Sequence, residues 1–331
     1  MLSGVEKGLV RSPFRTISPI SMSEQSSEAK RPRVNVRRPD VMERVAAEVA
    51  AHFHSSIVGR IREAGGRISI GNTTILLAGQ FGFCYGVERA IDLAYATRRV
   101  FPDQRIFLIG EIIHNPDVNR HLREMGIVSL PWQEITTDYD QLNADDVVIV
   151  PAFGAPSHFM EKIEERGCQV IDTTCGDVMK VWRRVRGYAK DGVTSIIHGK
   201  SIHEETRATA SRALGDAGDG NYLVVLTLDD TDYVCRYIRN GGDKEDFLKR
   251  FKDSVSPKFD PDKHLARVGI ANQTTMLKSE TEDIGRLFER TMLQRFGPTE
   301  LNDHFLAFNT ICDATQERQD AMFALVDEPL D

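Results

Sequence analysis

The chain has 331 residues, enough for two or three ordinary domains around a substantial core. With 41% hydrophobic and 27% charged residues it reads as a soluble globular chain, and its longest apolar runs are strand-length, so no membrane span is expected. The net charge of -7 argues against generic nucleic-acid binding, and five scattered cysteines without a CxxC exclude a small disulfide scaffold and point to a reducing compartment, the cytoplasm.

The first forty residues are rich in Ser, Pro and Arg, with a small basic block, RPRVNVRRP, and no apolar h-region. They predict a disordered tail over 1–40, with Met22 as a candidate true start. The alternative is a plastid transit peptide, which would place the protein in the stroma. Apolar residues at Val41, Val45, Val49, Phe53, Ile57 and Ile61 then predict a helical extension over 41–70, ended by the glycines at 65–66.

From there strands and helices alternate. TTILLA, RIFLIG, DVVIVPA, CQVID, TSIIHG, YLVVLT and ARVGIA read as strands, and VERAIDLAYATRR, DVNRHLREMG, PSHFMEKIEERG, the segment after Cys175, EETRATASRALG and KSETEDIGRLFERTMLQRF as helices. This rhythm predicts an α/β fold with mostly parallel sheets. It divides into a first unit over 71–175, a second over 176–295 and the start of a third over 296–331. KEDFLKRFKD reads as a solvated charged helix face.

Polar residues follow the strand ends. TTILLA leads to Cys84, RIFLIG to Glu111 and His114, CQVID to Cys175, TSIIHG to His203 and Glu205, and ARVGIA to Asn272 and Thr274. Ligands of open α/β sheets bind beyond the carboxyl ends of strands, so these residues are expected in one cleft. A crude internal echo runs through GFCYGVERA, DTTCGDVMK and NTICDATQERQ, each placing a cysteine at a bend before a helix.

Cys168 and Cys235 sit in apolar surroundings and read as core. Cys84, Cys175 and Cys312 sit at helix starts, where the thiolate is expected to be favoured. Three thiolates at one point suit zinc or an iron–sulfur cluster. His114 and His203 rise above the remaining histidines as candidate ligands, acids or donors to an anion. Glu205 can carry a proton or cap a helix, and Thr274 offers a hydroxyl or a cap. No Walker loop, GxGxxG or HExxH is present.

Taken together, GFCYGVERA, EIIHNPDVN, PAFGA, IDTTCGDVMKVW, TSIIHGKSIHEETRATAS, GIANQTTMLKSETE and FNTICDATQERQDAM resemble the 4-hydroxy-3-methylbut-2-enyl diphosphate reductase family, in its plant and cyanobacterial branch. This family acts at the last step of the methylerythritol phosphate route to isoprenoids, and the likeness spans residues 41 to 328. The resemblance implies repeated small α/β units around a central 4Fe-4S cluster held by Cys84, Cys175 and Cys312. It implies reductive dehydroxylation of an allylic diphosphate to isopentenyl and dimethylallyl diphosphate. His114 and His203 would bind the diphosphate, Glu205 would deliver a proton and Thr274 would serve in the active site. A ferredoxin or flavodoxin would donate electrons, and neither nucleic acid nor membrane is an implied partner.

Three departures from the family pattern stand out. Phe153 occupies a position where many bacterial members carry histidine, and Gly176 replaces the usual proline after the second cysteine. Family chains also continue past the third cysteine motif for about a hundred residues, a further α/β unit of ordinary size with a Ser-x-Asn segment. A chain without that unit is expected to expose apolar faces that invite oligomerisation. It could also be a non-catalytic iron–sulfur protein. A zinc hydrolase built on the same cysteines is the more distant alternative.

Overall fold

Alternating apolar runs of four or five residues build two sheets of the same design. The computed structural model describes residues 34–308 and 311–329, so most of the predicted tail lies outside the described residues. The chain runs α1 (Pro39–Phe53), α2 (Ser56–Glu63), β1 (Arg67–Ile70), β2 (Thr73–Leu76), α3 (Tyr85–Val100), β3 (Ile106–Ile109), α4 (Pro116–Glu124), β4 (Ile127–Leu130), α5 (Thr137–Asp140), β5 (Val147–Val150), α6 (Ser157–Glu165) and β6 (Gln169–Asp172). It continues through α7 (Gly176–Lys190), β7 (Thr194–His198), α8 (Glu204–Ala213), β8 (Tyr222–Val225), α9 (Leu228–Asn240), α10 (Lys244–Arg250), α11 (Pro261–His264), β9 (Val268–Asn272), α12 (Lys278–His304), β10 (Phe305–Leu306) and α13 (Asp313–Val326).

The first sheet has the order β4-β3-β5-β6 and the second β10-β9-β7-β8, every pairing in both being parallel. Read from the other edge, the second order is β8-β7-β9-β10, so each sheet places its own second, first, third and fourth strands side by side. Two of the three echoed segments, those of Cys175 and Cys312, follow the last strands of these like sheets, whereas that of Cys84 follows the β1–β2 hairpin. Both sheets are covered on both faces, which suits parallel strands with continuous apolar runs. In β3, Ile106 and Leu108 join one buried cluster with α1, α3 and α4, while Phe107 and Ile109 join another with α6. In the second sheet Ile196, Val268 and Ile270 pack toward α9 and α12, and Ile197 and Ala271 toward α7 and α8.

Several expectations are corrected. TTILLA does not enter a parallel sheet. Its β2 pairs antiparallel with β1 in a separate hairpin, Ile68 opposite Ile75, because only a two-residue turn separates the two runs. The helical extension expected over 41–70 breaks into α1 and α2 and gives way to β1, since Ser55 is extended and its hydroxyl accepts from the Val58 N–H to cap a new helix, and the glycines at 65–66 turn the chain into a strand. Val36 is already buried in the first core, so ordered packing begins inside the predicted tail.

The boundary at 295/296 falls within α12, which kinks at Gly297 (φ 77) before Pro298 and delivers β10 to the edge of the second sheet. Residues up to Leu306 therefore belong to the second sheet's layer. The charged segment KEDFLKRFKD is not solvated all round, because Phe247 is fully buried beneath α10. Strands β1, β4 and β10 escaped the sequence reading, β1 because it lies within the segment read as helical and β4 because only its end residues, Ile127 and Leu130, are buried. No described helix is long and apolar enough to cross a membrane.

Candidate active site

In a parallel sheet the crevice opens where successive crossovers leave to opposite sides, and each sheet has one such point. In the first it lies between β3 and β5, and in the second between β7 and β9. His114 follows β3 and Phe153 follows β5. His203 follows β7 and Thr274 follows β9. All four line one cavity of about 370 Å³, together with Glu205 and the three predicted cysteines, Cys84, Cys175 and Cys312.

Each of those cysteines is the N-cap residue of a helix: Cys84 of α3, Cys175 of α7 and Cys312 of α13. Cys175 and Cys312 also follow the fourth strand of their respective sheets. The Cys175 N–H donates to Ala152 O at 2.8 Å, tying the second cysteine loop to the loop after β5. Gly86, the second residue of α3, leaves the space the thiols need. A Cβ placed on it would lie 2.5 Å from Cys175 Sγ and 3.9 Å from Cys84 Sγ.

The expectation that helix starts would lower these thiols is overturned for two of them. Burial raises Cys175 despite N–H groups from Asp177 and Val178, and pushes Cys312 up to about 11. Desolvation outweighs the helix-end field here, so these thiols stay protonated until a cation replaces the protons. Cys168 and Cys235 are buried away from the cavity, as their apolar settings predicted.

The histidine side is built differently. Asn119 holds the loop before His114, accepting from the Ile112 N–H and donating to Ile113 O, while Asn115 caps α4. The His114 ring stacks on Phe153, centroids 4.9 Å apart and 17° between planes, and meets His203 edge-on at 5.1 Å. Its Nε2 lies 3.2 Å from Glu204 and its Nδ1 3.3 Å from Glu111. With a carboxylate at each nitrogen, the ring is held as an imidazolium. Hydrogen bonding to Glu204, against partial desolvation and with help from Glu111, lifts it to about 8.

His203 caps α8, and its Nδ1 accepts the Glu205 N–H at 3.1 Å. A neutral ring that accepts at Nδ1 carries its proton on Nε2. Burial favours that neutral form. His114, His203 and Glu204 bring ligand-capable atoms within 4.8 Å of one another. The occupied Nδ1 of His203 leaves its Nε2–H free to donate, while His114, with both nitrogens paired to carboxylates, brings positive charge to the same wall of the cavity.

Glu205 is 2% exposed and accepts from the Thr274 N–H, with the Thr274 hydroxyl also bonded to its carboxyl. Burial pushes the acid up to about 7, with the Thr274 bonds opposing. Thr274 does not cap α12, whose N-cap is Leu277. Its neighbour Gln273 accepts from the Lys200 N–H and the Thr206 hydroxyl, joining the loops after β7 and β9. Sequence reading passed over Glu204, Phe153 as a stacking partner, and Arg318, which also lines the cavity. Glu204 was visible only as the middle of HEE.

A single zinc ion draws sulphur ligands to about 4 Å from one another. Among the described residues, no set within 4.8 Å includes the cysteines. The shared cavity and the gap left by Gly86 fit a thiolate-held iron–sulfur group.

The fold and the site define an α/β protein of repeated four-strand units with a cleft lined by thiols, histidines and a buried acid. The model of the LytB protein family matches residues 75–331, and the chain belongs to that family. It is 57% identical over 289 residues to the 4-hydroxy-3-methylbut-2-enyl diphosphate reductase of Synechococcus sp. (strain RCC307), covering 87% of this chain and 70% of the relative. The reductase of Prochlorococcus marinus (strain MIT 9313) is 56% identical over 287 residues, with 87% and 71% covered.

Among solved structures, (E)-4-hydroxy-3-methyl-but-2-enyl diphosphate reductase, the terminal enzyme of the non-mevalonate pathway, matches with a TM-score of 0.50 and 25% identity, covering 76% of this chain and 72% of its own. The Plasmodium falciparum E-1-hydroxy-2-methyl-but-2-enyl-4-diphosphate reductase shares the fold, with a TM-score of 0.53 and 22% identity, over 75% of this chain and 63% of its own.

Proposed function

We propose that the chain is a 4-hydroxy-3-methylbut-2-enyl diphosphate reductase, an oxidoreductase that removes the allylic hydroxyl as water. Two electrons and two protons enter, the C–O bond breaks, and isopentenyl or dimethylallyl diphosphate leaves. Cys84, Cys175 and Cys312 would hold one 4Fe-4S cluster, which when bound supplies a Lewis-acidic iron and a path for electrons. The observation that carries this reading is the meeting, in one cavity, of three helix-capping thiols with two histidines and a buried acid.

The roles of the other residues follow from their surroundings. His203 would donate to the diphosphate through Nε2–H, and His114, an imidazolium on the Phe153 face, would attract it through its positive charge. Glu205, buried and protonated near neutral pH, would deliver a proton to the reacting end. Thr274 would orient that acid through its N–H and hydroxyl. With Phe153 in place of a third histidine, one contact to the diphosphate is replaced by a ring that fixes His114. Electrons would come from an external one-electron carrier, a ferredoxin or flavodoxin, and the cyanobacterial origin of the relatives supports a cytoplasmic setting.

The test is anaerobic purification and cluster reconstitution of the 331-residue chain, followed by assay of the allylic diphosphate with a low-potential reductant. Turnover that disappears in Cys312→Ser supports the reading. Brown, cluster-loaded protein without turnover would instead make this a non-catalytic iron–sulfur protein.

A further inference from the structure

Each helix that begins at a cysteine carries an arginine that reaches away from it to the segment preceding the next cysteine. Arg89, on α3 behind Cys84, donates from Nη1 to the backbone oxygens of Thr173 and Thr174, both at 3.2 Å, immediately before Cys175. Arg184, on α7 behind Cys175, lies 3.3 Å from the centroid of the Phe308 ring, in the segment that leads to Cys312. Arg318, on α13 behind Cys312, donates from Nε to Gly82 O at 3.1 Å, just before Cys84. The pattern closes on itself, from the first cysteine to the second, to the third and back.

The three cysteine loops come from separate parts of the chain, one after the β1–β2 hairpin and one after each sheet. A helix N-cap fixes each cysteine to its own helix but says nothing of its distance from the other two. Ties between loops supply that missing restraint, and these three are well suited to it. Two are charge-assisted bonds to carbonyls, stronger than neutral ones, and the third is a guanidinium over an aromatic face. None of the three arginines pairs with a carboxylate among the described residues.

We propose that Arg89, Arg184 and Arg318 are positioning residues forming a cyclic brace that sets the spacing of Cys84, Cys175 and Cys312, and with it how firmly the cluster is retained. The proposal rests on the cluster reading given above.

The test compares Arg89→Gln and Arg318→Gln with Arg98→Gln as a matched control. Arg98 lies on the same helix as Arg89 and also binds carbonyls, those of Phe101, Pro102, Gln104 and Gly126, away from the thiols. Loss of the cluster's visible absorbance to a chelator is timed in each reconstituted protein, alongside thermal melting. Separately, in iron-free protein, bridging of Cys84 to Cys175 by a short bismaleimide is read by mass spectrometry.

Arg89→Gln and Arg318→Gln are expected to release the cluster about tenfold faster than wild type. The iron-free Arg89→Gln protein is expected to bridge less. Arg98→Gln should melt earlier yet release its cluster at the wild-type rate. Wild-type release from Arg89→Gln, or equally fast release from Arg98→Gln, would overturn the brace. A wild-type protein that takes up no iron and sulfide would refute the cluster reading instead, and unchanged bridging in iron-free Arg89→Gln would then count against the brace on its own.

Discussion

Gly86 and Cys175 approach so closely across the cleft that a Cβ on the glycine would stand 2.5 Å from the cysteine sulphur and 3.3 Å from its Cβ. Gly86 is helical, and alanine in a helix is favoured over glycine by about 1 kcal/mol. Against that, the clash pushes the second thiol out of place at a cost of about 1–3 kcal/mol, so Gly86→Ala is expected to leave the thermal midpoint unchanged or lower it. Iron and sulfide per chain should fall well below wild type after identical reconstitution. A variant with full cluster content would show that the thiol moves aside without consequence.

Glu205 gives the site its pH dependence. Folded Glu205 holds its proton up to about 7, whereas the free carboxyl lets go near 4.5. Between these values the folded chain binds more protons than the unfolded one, so this group's contribution to stability declines as pH rises through that window and levels off above it. Turnover that needs the protonated acid should likewise decline as pH rises past about 7. Glu205→Gln can still accept the Thr274 N–H but cannot give up a proton. It should lower kcat about 10²- to 10⁴-fold with little change in KM. Retention of near-normal kcat would remove Glu205 from proton delivery.

The pairing of Glu204 with His114 should govern affinity rather than turnover. The raised His114 contributes stability and positive charge fully below 6.5, and loses both as pH rises through about 8. In Glu204→Gln the ring should titrate closer to its ordinary value, visible as a shifted His114 resonance in the NMR spectrum. KM for the diphosphate should then begin its rise at lower pH, by up to about tenfold near pH 8. An unmoved His114 titration would show that Glu111 alone sets the ring's charge.

Val45 is fully buried where α1 meets α3, inside the first core. Val45→Ala should lower unfolding free energy by about 1–3 kcal/mol through lost burial and a residual cavity. Chemical denaturation measures this directly, and cluster content at low temperature should stay at the wild-type level. A stability change within experimental scatter would show that α1 is not integral to the first core.

Much of the architecture could be read from periodicity, because short apolar runs separated by amphipathic segments have few other stable arrangements. RIFLIG, DVVIVPA, TSIIHG and ARVGIA appear as β3, β5, β7 and β9, the two central strands of each sheet, which must be apolar on both faces. The reading failed where that condition lapses. TTILLA is apolar but pairs in a hairpin outside the sheets, and β10, two residues long, carries too little pattern to detect.

Local pattern alone picks out the candidates for chemistry: strand ends place Cys175, His114, His203 and Thr274 at one edge, and cysteines before helical patterns mark the caps. How those residues act depends on packing between distant parts of the chain. Glu204 is acidic like its neighbours in sequence, yet it meets His114 because two separate crevices open onto one cavity. Helix-start thiols that local reasoning expected to be acidic are raised instead, since desolvation depends on what the rest of the chain packs around them. Charge state and contact across the cleft are properties of surroundings, and surroundings exist only once the chain has folded.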